Sequence, residues 1–340
     1  MLKGAFIGFG SVAEKGHAPG WRSRADAIIV AATDTAPSRR EPFLTAFPEG
    51  RWHASADDLL AREALDFVDI CAPPGGHAAL IVRALGAGLH VLSEKPLVTR
   101  LRDAETVASE ARRAGRVVHT VHNWLKAPVS LKISSLIAEG AIGAVQSVSW
   151  RTLRTRPAAA AGPQGGPNWR VDPALAGGGV LFDHGWHALY CVARWAGSPL
   201  VVSARLETRR FHEQPLEDTA SLHLETASGL SRIFLTWAAD ERSNEIESEG
   251  ERGLLHVEGA AVVVKSNSGV RRFSCPRSLS EGSHHPDWFG GVADDFLTAA
   301  TTGGAGNLNE ALMCARLIDL AQQSSAAGGA RLSFAKGEMN

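Results

Sequence analysis

Short apolar runs separated by longer amphipathic stretches set the texture of the first third of the chain. Residues 4–8, 27–33, 67–72, 90–94 and 117–122 form such runs, as expected of strands buried on both faces of a parallel sheet. Between them Asp57-Asp58-Leu59-Leu60 offers an N-cap and an acidic first turn, 78–86 reads as a crossover helix, and Gly115 follows Arg112-Arg113 as the glycine that ends a long helix. The pattern is that of successive βαβ units.

After residue 122 the pattern changes. Residues 145–153, 201–209, 219–225, 231–237, 244–248, 254–258 and 261–265 read as strands that follow one another without intervening helices, and 292–300 and 309–323 as closing helices. Alternation in Val201-Val202-Ser203-Ala204-Arg205-Leu206-Glu207 favours strands with one exposed face. A chain of 340 residues is too long for one average core. The expected architecture is therefore α/β followed by α+β: an N-terminal Rossmann parallel sheet over 1–122, then a domain over 123–340 built on an open-faced, mainly antiparallel sheet. An open face needs a cover, and a second copy is the usual one, so a homodimer or homotetramer is expected. Residues 157–167, rich in Ala, Gly and Pro, read as a flexible loop or as a lid.

Composition narrows the partners. Lys and Arg total 35 against 36 Asp and Glu, a formal charge of -1, which gives no global field for nucleic acid or an anionic membrane. No apolar run approaches the ~18 residues of a membrane span, and the first residues lack a signal sequence, so the expected compartment is the cytoplasm. Cys71, Cys191, Cys275 and Cys314 are scattered without a C-x-x-C pair and read as reduced thiols.

The chemistry begins where the first strand ends, at Gly8-Phe9-Gly10-Ser11-Val12-Ala13. Gly8 permits a tight turn, Gly10 a close approach of backbone to a pyrophosphate, and Ala13 close helix packing, with the helix N-terminus facing the phosphates. Asp34 closes the second strand about 20 residues on, where a carboxylate accepts from the adenosine ribose hydroxyls. Its charge favours NAD over NADP, and Arg39-Arg40 leave NADP possible.

Two further motifs carry reactive groups. Glu94-Lys95-Pro96 follows the strand at 90–93, at the carboxyl edge where α/β sheets bind ligands, and an ammonium there stabilises a developing alkoxide. In Gly177-Gly178-Gly179-Val180-Leu181-Phe182-Asp183-His184-Gly185-Trp186-His187, a helix would put Asp183 and His187 on one face, the carboxylate orienting an imidazole that handles a proton. His184 and His187 are also three apart, a spacing open to a metal, but no third ligand or H-E-x-x-H pattern accompanies them, and the expectation is no metal. His284-His285 before Pro286 reads as a surface turn.

Together these motifs make the chain resemble the glucose-fructose oxidoreductase, inositol dehydrogenase and rhizopine catabolism family of NAD(P)-dependent sugar oxidoreductases. The resemblance runs over nearly the whole length, through the glycine turn, Ala72-Pro73 with His77, the run from Gly88 to Pro96, His122-Asn123 and the Gly177 to His187 block. It implies a dehydrogenase or reductase acting on CH-OH groups of a sugar, inositol or related polyol. Lys95, Asp183 and His187 would be the catalytic trio. Gly8 to Ala13, Asp34, Arg39, Ala72, Pro73, His77, Glu94, Lys95 and Pro96 would meet the cofactor, and Asn123, Trp169 and Arg170 would join the trio around the substrate. Two departures stand out: Asn123-Trp124-Leu125-Lys126 lacks the arginine frequent after that asparagine, and Ala72-Pro73 replaces the usual Thr-Pro. Trp169 suits either a sugar-stacking face or the core. Two other function classes stay open, a cofactor-binding sensor without turnover and a lyase or glycosidase that uses tightly held NAD for transient oxidation.

Overall fold

The structure, a computed structural model, describes residues 1–159 and 168–334. Most of the Ala, Gly and Pro-rich stretch read as a loop or lid, 160–167, lies outside them.

The first sheet comprises β1 (Leu2–Ile7), β2 (Ala27–Thr33), β3 (Arg51–His53), β4 (Phe67–Ile70), β5 (His90–Ser93) and β6 (Val118–Thr120), in the order β3-β2-β1-β4-β5-β6. Every pairing is parallel, the Rossmann order with its crevice at the carboxyl edge between β1 and β4. Continuous apolar runs produce this sheet because helices cover both faces: β4 is buried along its whole length, including the charged Asp69.

The second sheet comprises β7 (Val145–Leu153), β8 (Val201–Glu207), β9 (Thr219–Glu225), β10 (Leu230–Thr236), β11 (Ser243–Gly250), β12 (Gly253–Glu258), β13 (Ala261–Ser266), β14 (Gly269–Ser274) and β15 (Leu332–Ser333). Its order is β14-β13-β12-β11-β7-β10-β9-β8-β15, antiparallel except for β7 beside β10. In β7, Val148, Trp150 and Thr152 point into the core while Arg151 is exposed, the period-2 pattern of a half-buried strand.

Four sequence expectations are corrected. Helices do intervene among the later elements: Pro128–Ala138 precedes β7 and Trp186–Ala196 separates β7 from β8. Trp186–Ala196 escapes period counting because it is buried almost all round. The helix Ala56–Arg62 is capped by Ser55, whose hydroxyl accepts from Asp58 N at 3.0 Å, and Asp57 and Asp58 lie inside its first turn. His284-His285 is a turn but not a surface one, since His285 is buried and stacked on Trp288 with ring centroids 3.5 Å apart. The short strands β3, β14 and β15 were not readable, β3 and β15 being too brief for a period and β14 exposed nearly throughout.

Candidate functional site

At the end of β1 the chain turns through Gly8, whose φ of +91° suits glycine. A Cβ there would lie 2.8 Å from Ala72 N and from the Cys71 carbonyl carbon. A Cβ on Gly10 would meet nothing within 4 Å, so this part of the turn faces open space. Phe9 sends its ring into a cluster with Phe6 and Phe43 and offers the cleft only its backbone, with its N–H donating to Asp34 Oδ2 at 2.7 Å. Ala36 N donates to Asp34 Oδ1 at 2.8 Å, so Asp34 ties the end of β2 to the glycine turn. Arg39 lies 3.3 Å from Glu14. Ala13, fully buried, opens a π-helical turn, Ala13–His17, that continues as Ala18–Arg22. Open backbone on the turn, a helix start behind it and a carboxylate beside it fit a dinucleotide.

Ser11, in the same turn, meets a residue from far along the chain: its Oγ is 3.0 Å from His284 Nε2. On the other side of the crevice His77 is fully buried, with Nε2 2.7 Å from Ala72 O and Nδ1 2.9 Å from Pro96 O. It fastens the Ala72-Pro73 turn to the Glu94-Lys95-Pro96 corner and reaches the cleft only through those segments.

The extra residue of the π turn delivers His17 under the corner. Its Nδ1 lies 2.9 Å from Asp69 Oδ2, its Nε2 3.0 Å from Glu94 Oε1, and its ring stacks on Phe289 at 4.1 Å. Trp21 Nε1 donates to Asp69 at 2.8 Å, and Glu94 Oε2 accepts from Lys95 N at 2.9 Å. Burial opposes a charge on His17, but Asp69 and Cys71 together outweigh it and raise its pKa well above 6.5. His17 is thus an imidazolium between two carboxylates. His17, Asp69 and Cys71 form the one cluster of metal-ligand type among the described residues, and its hydrogen bonds account for the grouping. Asp69, a charge inside the apolar run of β4, was the sequence signal for this cluster.

The second motif crosses to meet the first. Lys95 Nζ donates to the Asp183 carbonyl oxygen at 2.6 Å and stands 3.6 Å from its Oδ1. Arg170 Nη1 donates to the same Oδ1 at 2.9 Å, its guanidinium 4.5 Å from the ring of half-buried Trp169. His184 Nε2 is 3.4 Å from Oδ2. Burial opposes ionisation of Asp183, but His184, Arg170, Lys95 and Arg154 together hold its carboxyl below the usual range. Burial also lowers the Lys95 pKa, an effect Asp183 partly offsets. The glycines ahead of this segment have a packing cause: a Cβ on Gly179 would lie 1.8 Å from Glu217 O, and the Glu217 carboxylate accepts from Gly179 N and Leu181 N at 3.0 and 3.1 Å.

The i to i+4 pairing expected between Asp183 and His187 does not form. Leu181–Gly185 is a second π-helical turn, and its wider winding takes the two residues off one stripe. His187 Nδ1 instead lies 2.7 Å from Tyr190 Oη, which also accepts from Trp124 N at 3.1 Å. The imidazole stacks on Trp124 at 4.6 Å. Burial, then the Lys95 charge, pushes its pKa well below 6.5. Tyr190, the only tyrosine of the chain, was missed; its three-residue spacing from His187 was the available signal. Tyr190 stacks on His122 at 4.1 Å, whose Nδ1 is 2.7 Å from Glu310. Asn123 keeps a buried Oδ1 without a hydrogen-bond partner among the described residues.

A 3-2-1-4-5-6 parallel sheet with a glycine turn and a lysine at its crevice, facing a carboxylate and a histidine from a second sheet domain, defines a dinucleotide-binding oxidoreductase fold. The sequence model for "Oxidoreductase family, NAD-binding Rossmann fold" matches residues 2–122, and that for the "GFO/IDH/MocA C-terminal domain" matches 130–256. The chain belongs to the GFO/IDH/MocA family of NAD-binding oxidoreductases. It is 27% identical over 191 residues to Oxidoreductase P35 of Formosa agariphila, covering 56% of this chain and 59% of that protein. It is 29% identical over 204 residues to D-glucoside 3-dehydrogenase of Escherichia coli, covering 59% and 56%. The chain thus spans less than three fifths of the length of either relative. The fold is shared with an Agrobacterium radiobacter oxidoreductase solved with NAD+, L-tartaric acid and magnesium, at a TM-score of 0.85, 22% identity and 98% of each chain covered. Among the described residues no helix is long and apolar enough to cross a membrane.

Proposed function

We propose that the protein is an NAD-dependent dehydrogenase or reductase acting on a secondary hydroxyl of a sugar, polyol or related hydroxy compound, with residues 1–122 holding the cofactor and 123–340 the substrate. The observation that carries this is the bond from Lys95, on the Rossmann edge, to Asp183, on the segment that also brings His187. A relative named D-glucoside 3-dehydrogenase agrees with a carbohydrate substrate.

In the oxidative direction His187 Nε2 takes the proton of the substrate hydroxyl; its lowered pKa keeps it in the base form at neutral pH. Tyr190 Oη has two lone pairs, so it can accept Nδ1–H alongside Trp124 N–H and leave Nε2 bare. Tyr190 is a positioning residue, the role sequence spacing assigned to Asp183. Lys95 stabilises negative charge on the substrate oxygen, and Asp183 holds that ammonium in place. Bound nicotinamide supplies the hydride acceptor. Gly8, Gly10, Ser11, Val12, Ala13, Asp34, Arg39, Ala72, Pro73 and Pro96 would line the cofactor, the main chain of Phe9 joining them and His77 and Glu94 supporting from below. Asn123, Trp169 and Arg170 would complete the substrate pocket.

Incubating the protein with NAD and a panel of sugars, polyols and hydroxy acids should give NADH absorbance. Tight NAD binding with no turnover across the panel would replace the enzyme reading by a sensor, and product without NADH by an internal redox reaction. The outer face of the second sheet, which carries the exposed Arg151–Glu245 pair, is proposed to pair with a second copy as a homodimer or homotetramer. Light scattering reads the mass directly.

A further inference from the structure

The charges around the substrate side of the cleft do not balance. Between Glu139 and Asp172 the sequence contains no acid but four arginines, Arg151, Arg154, Arg156 and Arg170. Arg151 pairs with Glu245, on the other face of β7. Arg154, one step past the end of β7, is 6% exposed. Its acceptors are all neutral: Leu153 O at 2.7 Å, Ser243 O at 2.9 Å and Asn244 Oδ1 at 3.3 Å. Those three bonds leave two of the five guanidinium N–H groups without an acceptor among the described residues. No carboxylate pairs with Arg154 there, and residues 160–167 contain none. A buried cation without a counter-ion is costly, and proteins ordinarily pair it.

The neighbours do not supply the missing charge. Asp183, near enough for its charge to act on Arg154, already serves Lys95 and Arg170. Arg242, whose charge also acts on Arg154, is held by Ser280 O at 2.9 Å and Gly282 O at 3.1 Å. Glu217 is engaged by Gly179 N and Leu181 N, and Asp218 by Arg209 N and Arg210 N. Asp69 and Glu94 share the His17 imidazolium, leaving one negative charge below the corner. Lys95, Arg170 and Arg154 thus share one nearby carboxylate, Asp183, and Arg242 adds a further positive charge beside Arg154. The positive charge acts on the site: burial, with Arg154, Lys95 and Arg170, takes the His184 pKa down to about 3 although Asp183 lies beside it.

We propose that the substrate carries a compact anionic group, a carboxylate or a phosphate, in addition to the hydroxyl that is oxidised, and that Arg154 and Arg170 receive it. The inference rests on the dehydrogenase reading for the fate of the bound molecule, but the anion preference itself is a binding property. Charge-assisted guanidinium bonds to such groups are among the stronger polar contacts.

The test is calorimetry on the NADH-saturated protein with D-gluconate, D-glucose 6-phosphate and the neutral D-glucitol. At least one anion is expected to bind about tenfold or more tightly than the neutral polyol, and which one does separates carboxylate from phosphate. Rising salt should erode the preference, and Arg170→Gln and Arg154→Gln should each reduce it while NAD affinity holds. Because Arg154 is buried and its variant can fail to fold, partly exposed Arg170 and the salt series on the unmodified protein decide the matter without it. Equal affinity for all three ligands, or a preference that survives Arg170→Gln and high salt, overturns the inference. So does a loss of NAD affinity in Arg170→Gln that matches the loss of anion affinity, since the cations would then serve the cofactor phosphates. Selective anion binding without NADH formation from NAD would sink the dehydrogenase reading alone, whereas turnover of neutral polyols without preference for acids would sink this inference alone.

Discussion

Two buried histidines flank the cleft in opposite protonation states, one a cation and the other neutral. His17 lies on the Rossmann side between Asp69 and Glu94, and its pKa rises; His187 lies on the sheet side near Lys95, His184 and His122, and its pKa falls. Both are almost fully buried, so burial does not distinguish them. The sign of the neighbours does. One ring therefore serves as a fixed cation that holds a corner together, and the other as an empty base ready for a proton.

The strongest way to break this contrast is His187→Ala. It should lower kcat about 10²- to 10⁴-fold with NAD affinity unchanged; a near-normal rate on a good substrate would remove His187 from the chemistry.

Next in size is His17→Gln, which leaves two buried carboxylates without their cation and should cost about 3 to 5 kcal/mol of stability. The two histidines also predict opposite pH dependence. A raised folded pKa gives stability that is fully present below 6.5 and lost as pH rises through the raised value, so the gap between wild type and His17→Gln should narrow as pH climbs. A lowered folded pKa gives stability present above 6.5 and lost as pH falls, and His184 at about 3 and His119 and His285 at about 4 act in the same direction as His187. Urea unfolding at a series of pH values reads both slopes, and a gap that widens with pH would refute the imidazolium.

Asp34→Ala should raise the NAD Kd by about tenfold or more, since it loses a charged acceptor and releases Phe9 N and Ala36 N together. Unchanged titration of NAD fluorescence quenching would remove that assignment. The smallest effect belongs to Tyr190→Phe, about fivefold on kcat, the value of one ordinary hydrogen bond. A loss confined to KM would show that Tyr190 shapes the pocket and does not set the His187 tautomer.

Much of this arrangement was legible in the sequence. The glycine turn, Asp34 and the Glu94-Lys95-Pro96 corner sit at strand ends that apolar runs locate well, and the Gly177 to His187 block announced itself by composition. The partner of His187 was misassigned because spacing arguments assume 3.6 residues per turn and Leu181–Gly185 is wound wider. His284 reaching Ser11 spans 273 positions, a distance over which periodicity has nothing to say. The charge imbalance around Arg154 needed burial as well as sequence, because an exposed arginine without a partner is ordinary whereas one that is 6% exposed is not.

The two π turns also bear on how such a chain tolerates insertions and deletions. Each is one residue longer than an α-helical turn would be, the first ending on His17 and the second lying two residues ahead of His187. Removing one residue from Ala13–His17 would let the segment relax to α-helix with the downstream helix kept in register, taking from His17 the local offset that carries it between Asp69 and Glu94 while leaving Gly8 and Gly10 untouched. In a lineage of related chains, a single-residue gap at this place would mark those that lack the buried cation, even where every glycine of the turn is kept.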